Sequence, residues 1–220
     1  MRPVRSVIYC HGFSSSPASS KATRFRRELD MRSVEFFCPD FNAPDFETLT
    51  VTRMLDQTGR TIATAGASPT ALIGSSLGAF VALHAAARDQ RSTAPRVDRL
   101  ILMAPALDFG GNRLRQLGEH GIDEWRRAGK LRVFHWGYNE PRDVRFALYE
   151  DAAHYDAFAL ELGLPMLVFQ GTRDDQVDPI MVRRWASTRP NIDLRLLDDD
   201  HQLTASVNVI WTASAAFLAV

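Results

Sequence analysis

The chain has 220 residues with 26 basic and 26 acidic side chains and no net formal charge at neutral pH, so no global field draws it to nucleic acid or to an anionic membrane. Hydrophobic residues make up 45% and charged residues 24%, the balance of a globular protein in water, and the length suits one α/β domain rather than two. No apolar run approaches the ~20 residues that cross a bilayer, and the stretch after Arg2 and Arg5 is too short for a secretory signal, so a cytoplasmic protein is expected.

Taken in order, "SVIYC" (6–10) reads as the first strand, a helix is expected over 18–30 after Pro17, and "VEFFC" (34–38) reads as the second strand. A helix over 46–65 follows Asp45 as its N-cap. Strand "TALIG" (70–74) leads into 77–88, an Ala-rich segment apolar nearly all round and therefore a buried helix. Strands "LILMA" (100–104), "MLVFQ" (166–170) and "DLRLL" (193–197) follow, with a helix over 180–187 opened by Asp178-Pro179. Leu203, Val207, Ile210, Trp211, Ser214, Phe217 and Leu218 keep a 3.6-residue period, the pattern of a closing helix packed by one face on a sheet. Cys10 and Cys38 form neither a metal motif nor a disulfide framework. Both end strands that can be neighbours, but reduced thiols are the expected state.

Several of these strands are apolar without alternation, as in a sheet covered on both faces. The alternation of strands and helices predicts an α/β fold: an open, mostly parallel sheet of about six strands with helices on both sides. Residues 106–164 interrupt it with no clear strand, many arginines and the aromatics Trp125, His135, Trp136 and Tyr138. An insertion this long is expected to be a cap or lid-like element within a single domain. The basic clusters "RFRREL" and "WRRAGKLR" read as solvated helix faces.

Three motifs fall just past the carboxyl ends of predicted strands, where open α/β sheets place their sites. "GSSLG" (74–78) has the form G-x-S-x-G, which suits a sharp strand-to-helix turn that lifts the Ser76 hydroxyl above the sheet. A glycine-rich phosphate loop or a plain turn has the same form. "YCHGFSSSPASSKA" (9–22) sets a His-Gly turn beside it, where backbone amides can face a developing oxyanion; Phe13 and Leu77 are the natural pair. His11 precedes that turn and is expected to brace the loop. The third motif pairs "GTRDDQVDP" (171–179) with "DDDHQL" (198–203). A hydroxyl nucleophile needs a base titrating near neutrality and a carboxylate to orient it. His201 alone follows the last strand, whereas His84 is expected in the core and His120, His135 and His154 on the surface of the insertion. Asp198, Asp199 and Asp200 are expected to raise the basicity of His201; read as metal ligands, they lack a companion motif. "FHWGYNEP" (134–141) suits a wall over an apolar pocket, with Trp136 and Tyr138 either touching substrate or only packing the insertion onto the body.

The segments "YCHGFSSSPASSKA", "GSSLGAF", "GTRDD" and "DHQL" resemble the α/β-hydrolase-fold serine hydrolases, in particular the small YqiA-like esterases. The likeness runs from about residue 6 to the C-terminus and is weakest in the insertion. It implies six strands in the order 2-1-3-4-5-6, without the two N-terminal strands of larger members. The chain order Ser, Asp, His is that of these enzymes. Their acid lies in a pattern G-x-x-D-x-x-V, which singles out Asp174 over Asp175 and Asp178. The resemblance implies a Ser-Asp-His site acting on carboxylic or thioester acyl groups without a cofactor; with Ser76 as nucleophile, His201 as base and Asp174 as its partner, a carboxylesterase acting on a small acyl ester with no metal is expected. A thioesterase, a lipase-like enzyme or a carbon–carbon-bond hydrolase would use the same residues, and a ligand receptor would keep them with slow turnover.

Overall fold

The computed structural model describes residues 2–66 and 69–220. The elements run β1 (Ser6–Cys10), α1 (Ser20–Asp30), β2 (Glu35–Phe37), α2 (Val51–Thr64), β3 (Thr70–Ser75), α3 (Leu77–Gln90), β4 (Val97–Met103) and α4 (Phe109–Ala128). They continue with β5 (Lys130–His135), β6 (Glu140–Arg145), α5 (Ala147–Ala152), β7 (Met166–Gly171), α6 (Pro179–Ser187), β8 (Ile192–Leu197) and α7 (Val207–Leu218). Six strands form one parallel sheet in the order β2-β1-β3-β4-β7-β8. These are the six strands expected from the sequence, and counted within their own sheet they keep the order 2-1-3-4-5-6.

Successive side chains on the central strands enter two separate cores. Ile8, Leu72, Leu100 and Val168 face a core shared with α2, α3, α4 and α6 through residues such as Met54, Phe80, Trp125 and Trp185. Val7, Tyr9, Ile73 and Phe169 face a second core closed by Phe25 and Leu29 of α1 and Ile210 and Trp211 of α7. This two-sided burial explains why the strands lack polar alternation. The terminal helix docks as its periodicity predicts.

Two local expectations need correction. The segment 106–164 does contain strands: β5 and β6 pair antiparallel from Lys130↔Arg145 to His135↔Glu140 in a hairpin apart from the main sheet. β5 carries the period of two, with Leu131, Val133 and His135 less exposed than Lys130, Arg132 and Phe134. The sequence EPRDVR of β6 carries no such signal and is held as a strand by its partner. Trp125, Val144, Phe146 and Leu148 of this segment are buried in the first core, so it is packed onto the body. Helix α2 begins later than expected, with Thr50 as its N-cap accepting from Arg53 N–H at 3.2 Å. Asp45 instead closes its own turn, accepting from Thr48 N–H at 2.8 Å. Cys10 and Cys38 are free thiols, the expected state, although they lie at the ends of adjacent strands.

Candidate active site

Ser76 stands between β3 and α3 with φ 55° and ψ −119°, a left-handed conformation that non-glycine residues rarely adopt. Two glycines make the turn possible. A Cβ on Gly78 would overlap the carbonyl oxygen of Cys10, and one on Gly74 would overlap the backbone of Ala79. The bend is tied down by Ser76 N–H donating to Met103 O at 2.8 Å, while Ser76 O accepts from Ala79 N–H at 2.9 Å. The G-x-S-x-G segment is thus a packed elbow, and the hydroxyl sits at the amino end of a fourteen-residue helix.

The elbow, the loop after β7 and the loop after β8 bring three side chains into one hydrogen-bonded row. His201 Nε2 lies 3.0 Å from Ser76 Oγ. His201 Nδ1 lies 2.9 Å from Asp174 Oδ2 and 3.0 Å from Oδ1. A carboxylate only accepts, so Nδ1 carries the proton and Nε2 is left to accept from the Ser76 hydroxyl. The Asp174 carboxylate is fully enclosed and accepts from Gln176 N–H at 2.9 Å, Val177 N–H at 2.8 Å and Gln170 Nε2 at 2.9 Å. Burial alone would raise its pKa; the His201 bond and charge, with the Val177 and Gln170 donors, outweigh burial and hold it below the ordinary carboxylate value. Asp175 is exposed, and Asp178 caps α6 through Ile180 N–H at 2.8 Å.

Phe13 and Leu77, whose amides are the expected oxyanion donors, both line the space beside Ser76. Neither donates to a protein acceptor among the described residues, so both remain available to an oxygen placed there. His11 braces the loop as expected: its Nε2 accepts from Phe41 N–H at 3.0 Å and its Nδ1–H donates to Gly12 O at 3.0 Å. A cavity of about 280 Å³ opens in front of Ser76 and His201, walled in part by Phe13, Val133, Phe134 and Trp136.

Other residues meet the sequence expectations only in part. Tyr138 lies outside that cavity and stacks on His135 with ring centroids 4.0 Å apart. His135 is fully buried rather than on the surface: its Nδ1 accepts from Tyr138 N–H at 3.1 Å, so its Nε2–H donates to Asn42 Oδ1 at 3.1 Å. His84 is buried in the core as expected, but its Nε2 has no protein partner among the described residues, and burial, aided by Arg88, pushes its pKa down to about 4. None of Asp198, Asp199 and Asp200 is hydrogen-bonded to His201. Asp198 pairs with Arg173, Asp199 accepts from Asp200 N–H and Ser206 N–H, and Asp200 accepts from Gln202 N–H, so all three shape the loop. Gln170 is the site residue that the sequence did not reveal, because a glutamine inside an apolar strand carries no motif.

None of the curated proteins matches the chain by sequence. Among solved structures it is similar to a candidate hydrolase from Agrobacterium vitis S4, with TM-score 0.85 and 22% identity over 97% of this chain and 87% of that one. It is also similar to mouse alpha/beta hydrolase domain-containing protein 10, with TM-score 0.79 and 19% identity over 99% and 91% of the two chains. Est1E from Butyrivibrio proteoclasticus, solved with bound ferulic acid, gives TM-score 0.75 and 17% identity over 97% and 87%. The fold is that of the α/β hydrolases. Residues 6–218 match the uncharacterised protein family UPF0227, and the chain belongs to that family.

Proposed function

We propose that the protein is a serine hydrolase, a carboxylesterase that works through Ser76, His201 and Asp174. The observation that carries this reading is the continuous row from Ser76 Oγ through His201 to Asp174, with links of 3.0 and 2.9 Å, built on a strained elbow. In the first half-reaction Ser76 Oγ attacks the acyl carbon while His201 Nε2 takes its proton. The Phe13 and Leu77 amides then stabilise the oxyanion, and the positive end of α3 adds to them. His201 returns the proton to the departing alcohol, leaving an acyl-enzyme. Water, deprotonated by the same imidazole, releases the acid and restores Ser76. Asp174 fixes the tautomer and stabilises the imidazolium.

The partner is a small-molecule acyl ester rather than nucleic acid or a membrane, and the chemistry needs no cofactor or metal. No helix among the described residues is long and apolar enough to cross a membrane, and the cytoplasm is the proposed place of action. A panel of p-nitrophenyl acyl esters, a thioester and an amide tests the reading against wild type and Ser76→Ala. Many turnovers on esters, absent from Ser76→Ala, support it. A single slow turnover would indicate a ligand receptor, and a thioester greatly preferred over its oxygen ester would move the assignment to a thioesterase.

A further inference from the structure

The cavity in front of Ser76 holds two cations and no acid. Lys21 of α1 and Arg113 of α4 both line it, whereas no Asp or Glu among the described residues does. Neither cation forms an ion pair with a described carboxylate. Lys21 Nζ donates to the backbone oxygen of Gln202 at 2.6 Å, and Arg113 Nη1 donates to Gln116 Oε1 at 2.7 Å. The Arg113 guanidinium also lies 4.5 Å over the Phe13 ring. Burial pushes the Lys21 ammonium down to about 8, against the pull of Asp200, Asp199 and Asp174, and it pushes Arg113 down to about 10. Partly desolvated cations that no described carboxylate contacts directly are costly to maintain unless an anion arrives from outside.

A second, independent feature lies in the same wall. Ser14 is 5% exposed, its Oγ is buried with no protein partner among the described residues, and its φ of 54° is in the left-handed region. A buried hydroxyl with no partner in the described chain needs one from outside it, and a ligand oxygen can complete its hydrogen bonding. Ser19 and Ser20, at the amino end of the eleven-residue α1, complete this side of the cavity. The N–H groups of Ser20 and Lys21 have no protein acceptor among the described residues.

We infer that the substrate carries an oxyanion group, a carboxylate or a phosphate, which this cavity holds through Lys21, Arg113 and the Ser14 hydroxyl. The inference rests on the hydrolase reading of Ser76 and gives that reading its substrate class: an anionic ester rather than a neutral lipid-like one. Phe134 and Trp136 flank the same space and suit the apolar body that bears the charge.

Two measurements on the full chain test it. The first compares kcat/KM for 4-acetoxybenzoate, its neutral methyl ester and 4-acetoxyphenyl phosphate. The account predicts that an anionic ester exceeds the methyl ester by about tenfold or more, the scale of one charge-assisted hydrogen bond. That ratio should collapse in Lys21→Met and Arg113→Met but persist in Lys21→Arg. Whichever anion wins identifies carboxylate or phosphate as the recognised group. The second titrates the unreactive 4-hydroxybenzoate and phenyl phosphate into Ser76→Ala protein by calorimetry, where Lys21→Met should weaken binding about tenfold. Turnover of the methyl ester with no anion preference and no anion binding would overturn the inference and leave the hydrolase reading intact. Anion binding with no hydrolysis of any ester would do the reverse.

Discussion

Gln170 Nε2 donates to Asp174 Oδ2 at 2.9 Å, reaching from the body of β7 to the carboxylate oxygen that also faces His201. Gln170 is fully buried; its Oε1 has no protein partner among the described residues, and its Nε2 donates to the acid and to the Gly171 backbone oxygen. With Asp174 as the proposed acid, Gln170 takes the part of a positioning residue. Gln170→Met should keep the fold and lower kcat by about tenfold with little change in KM, because the lost bond serves a charged group and not the substrate. Steady-state kinetics with one neutral ester, alongside a melting curve, checks this. Unchanged kcat would mean that the Gln176 and Val177 amides suffice.

The three aspartates of the same loop separate by what each touches. Asp174→Asn should leave the fold intact but favour the wrong His201 tautomer, lowering the rate on the order of 10⁴-fold by analogy with a known triad. Asp175 is exposed, and its Asn variant should stay near wild type. Asp178 caps α6 through Ile180 N–H, so Asp178→Ala should cost about 1 kcal/mol of stability and little activity. Kinetics and urea melts on the three variants decide the matter. A crippled Asp175→Asn beside an active Asp174→Asn would move the acid by one residue.

Backbone contact at the elbow predicts opposite effects of one methyl group at two glycines. Gly78→Ala forces a Cβ onto the Cys10 carbonyl and should cost roughly 1–3 kcal/mol or more, with loss of activity as Ser76 is displaced. Gly59 lies exposed within α2 with nothing within 4 Å of the added carbon. Gly59→Ala should therefore stabilise by roughly 0.5–1 kcal/mol. Urea unfolding of both variants measures the contrast.

The sheet was legible because its strands are buried on both faces, and an apolar run such as TALIG has few other ways to fold. The elbow was legible for a related reason: Gly74 and Gly78 are demanded by backbone contacts, so the packing constraint is written in the residue types. What stayed hidden depends on pairing at long range. The strand EPRDVR exists through its partner β5, and His135 is buried because Asn42, more than ninety positions away in sequence, meets its Nε2–H. Lys21 lies within the segment YCHGFSSSPASSKA, yet only the folded cavity shows it sharing a wall with Arg113.

The tip of the β5–β6 hairpin gives a prediction that separates packing from substrate contact. Trp136 is 74% exposed and lines the cavity, whereas Tyr138 covers His135 outside it. Trp136→Ala should raise KM for the larger esters while leaving the melting temperature near that of wild type. Tyr138→Ala should lower the melting temperature and depress turnover of all esters alike. A chain-length effect confined to Tyr138→Ala would mean that the hairpin moves to bring that ring into the cavity.

The central claim is that Ser76, and not the neighbouring Ser75, is the nucleophile. Labelling with a fluorophosphonate followed by peptide mass spectrometry tests it most directly, because the probe reacts only with a serine whose hydroxyl is activated by its base. The 3.0 Å link from Ser76 Oγ to His201 Nε2 predicts one label per chain, on Ser76. It should vanish in Ser76→Ala and His201→Ala and persist in Ser75→Ala. A label on Ser75, or labelling that survives in Ser76→Ala, would contradict the account.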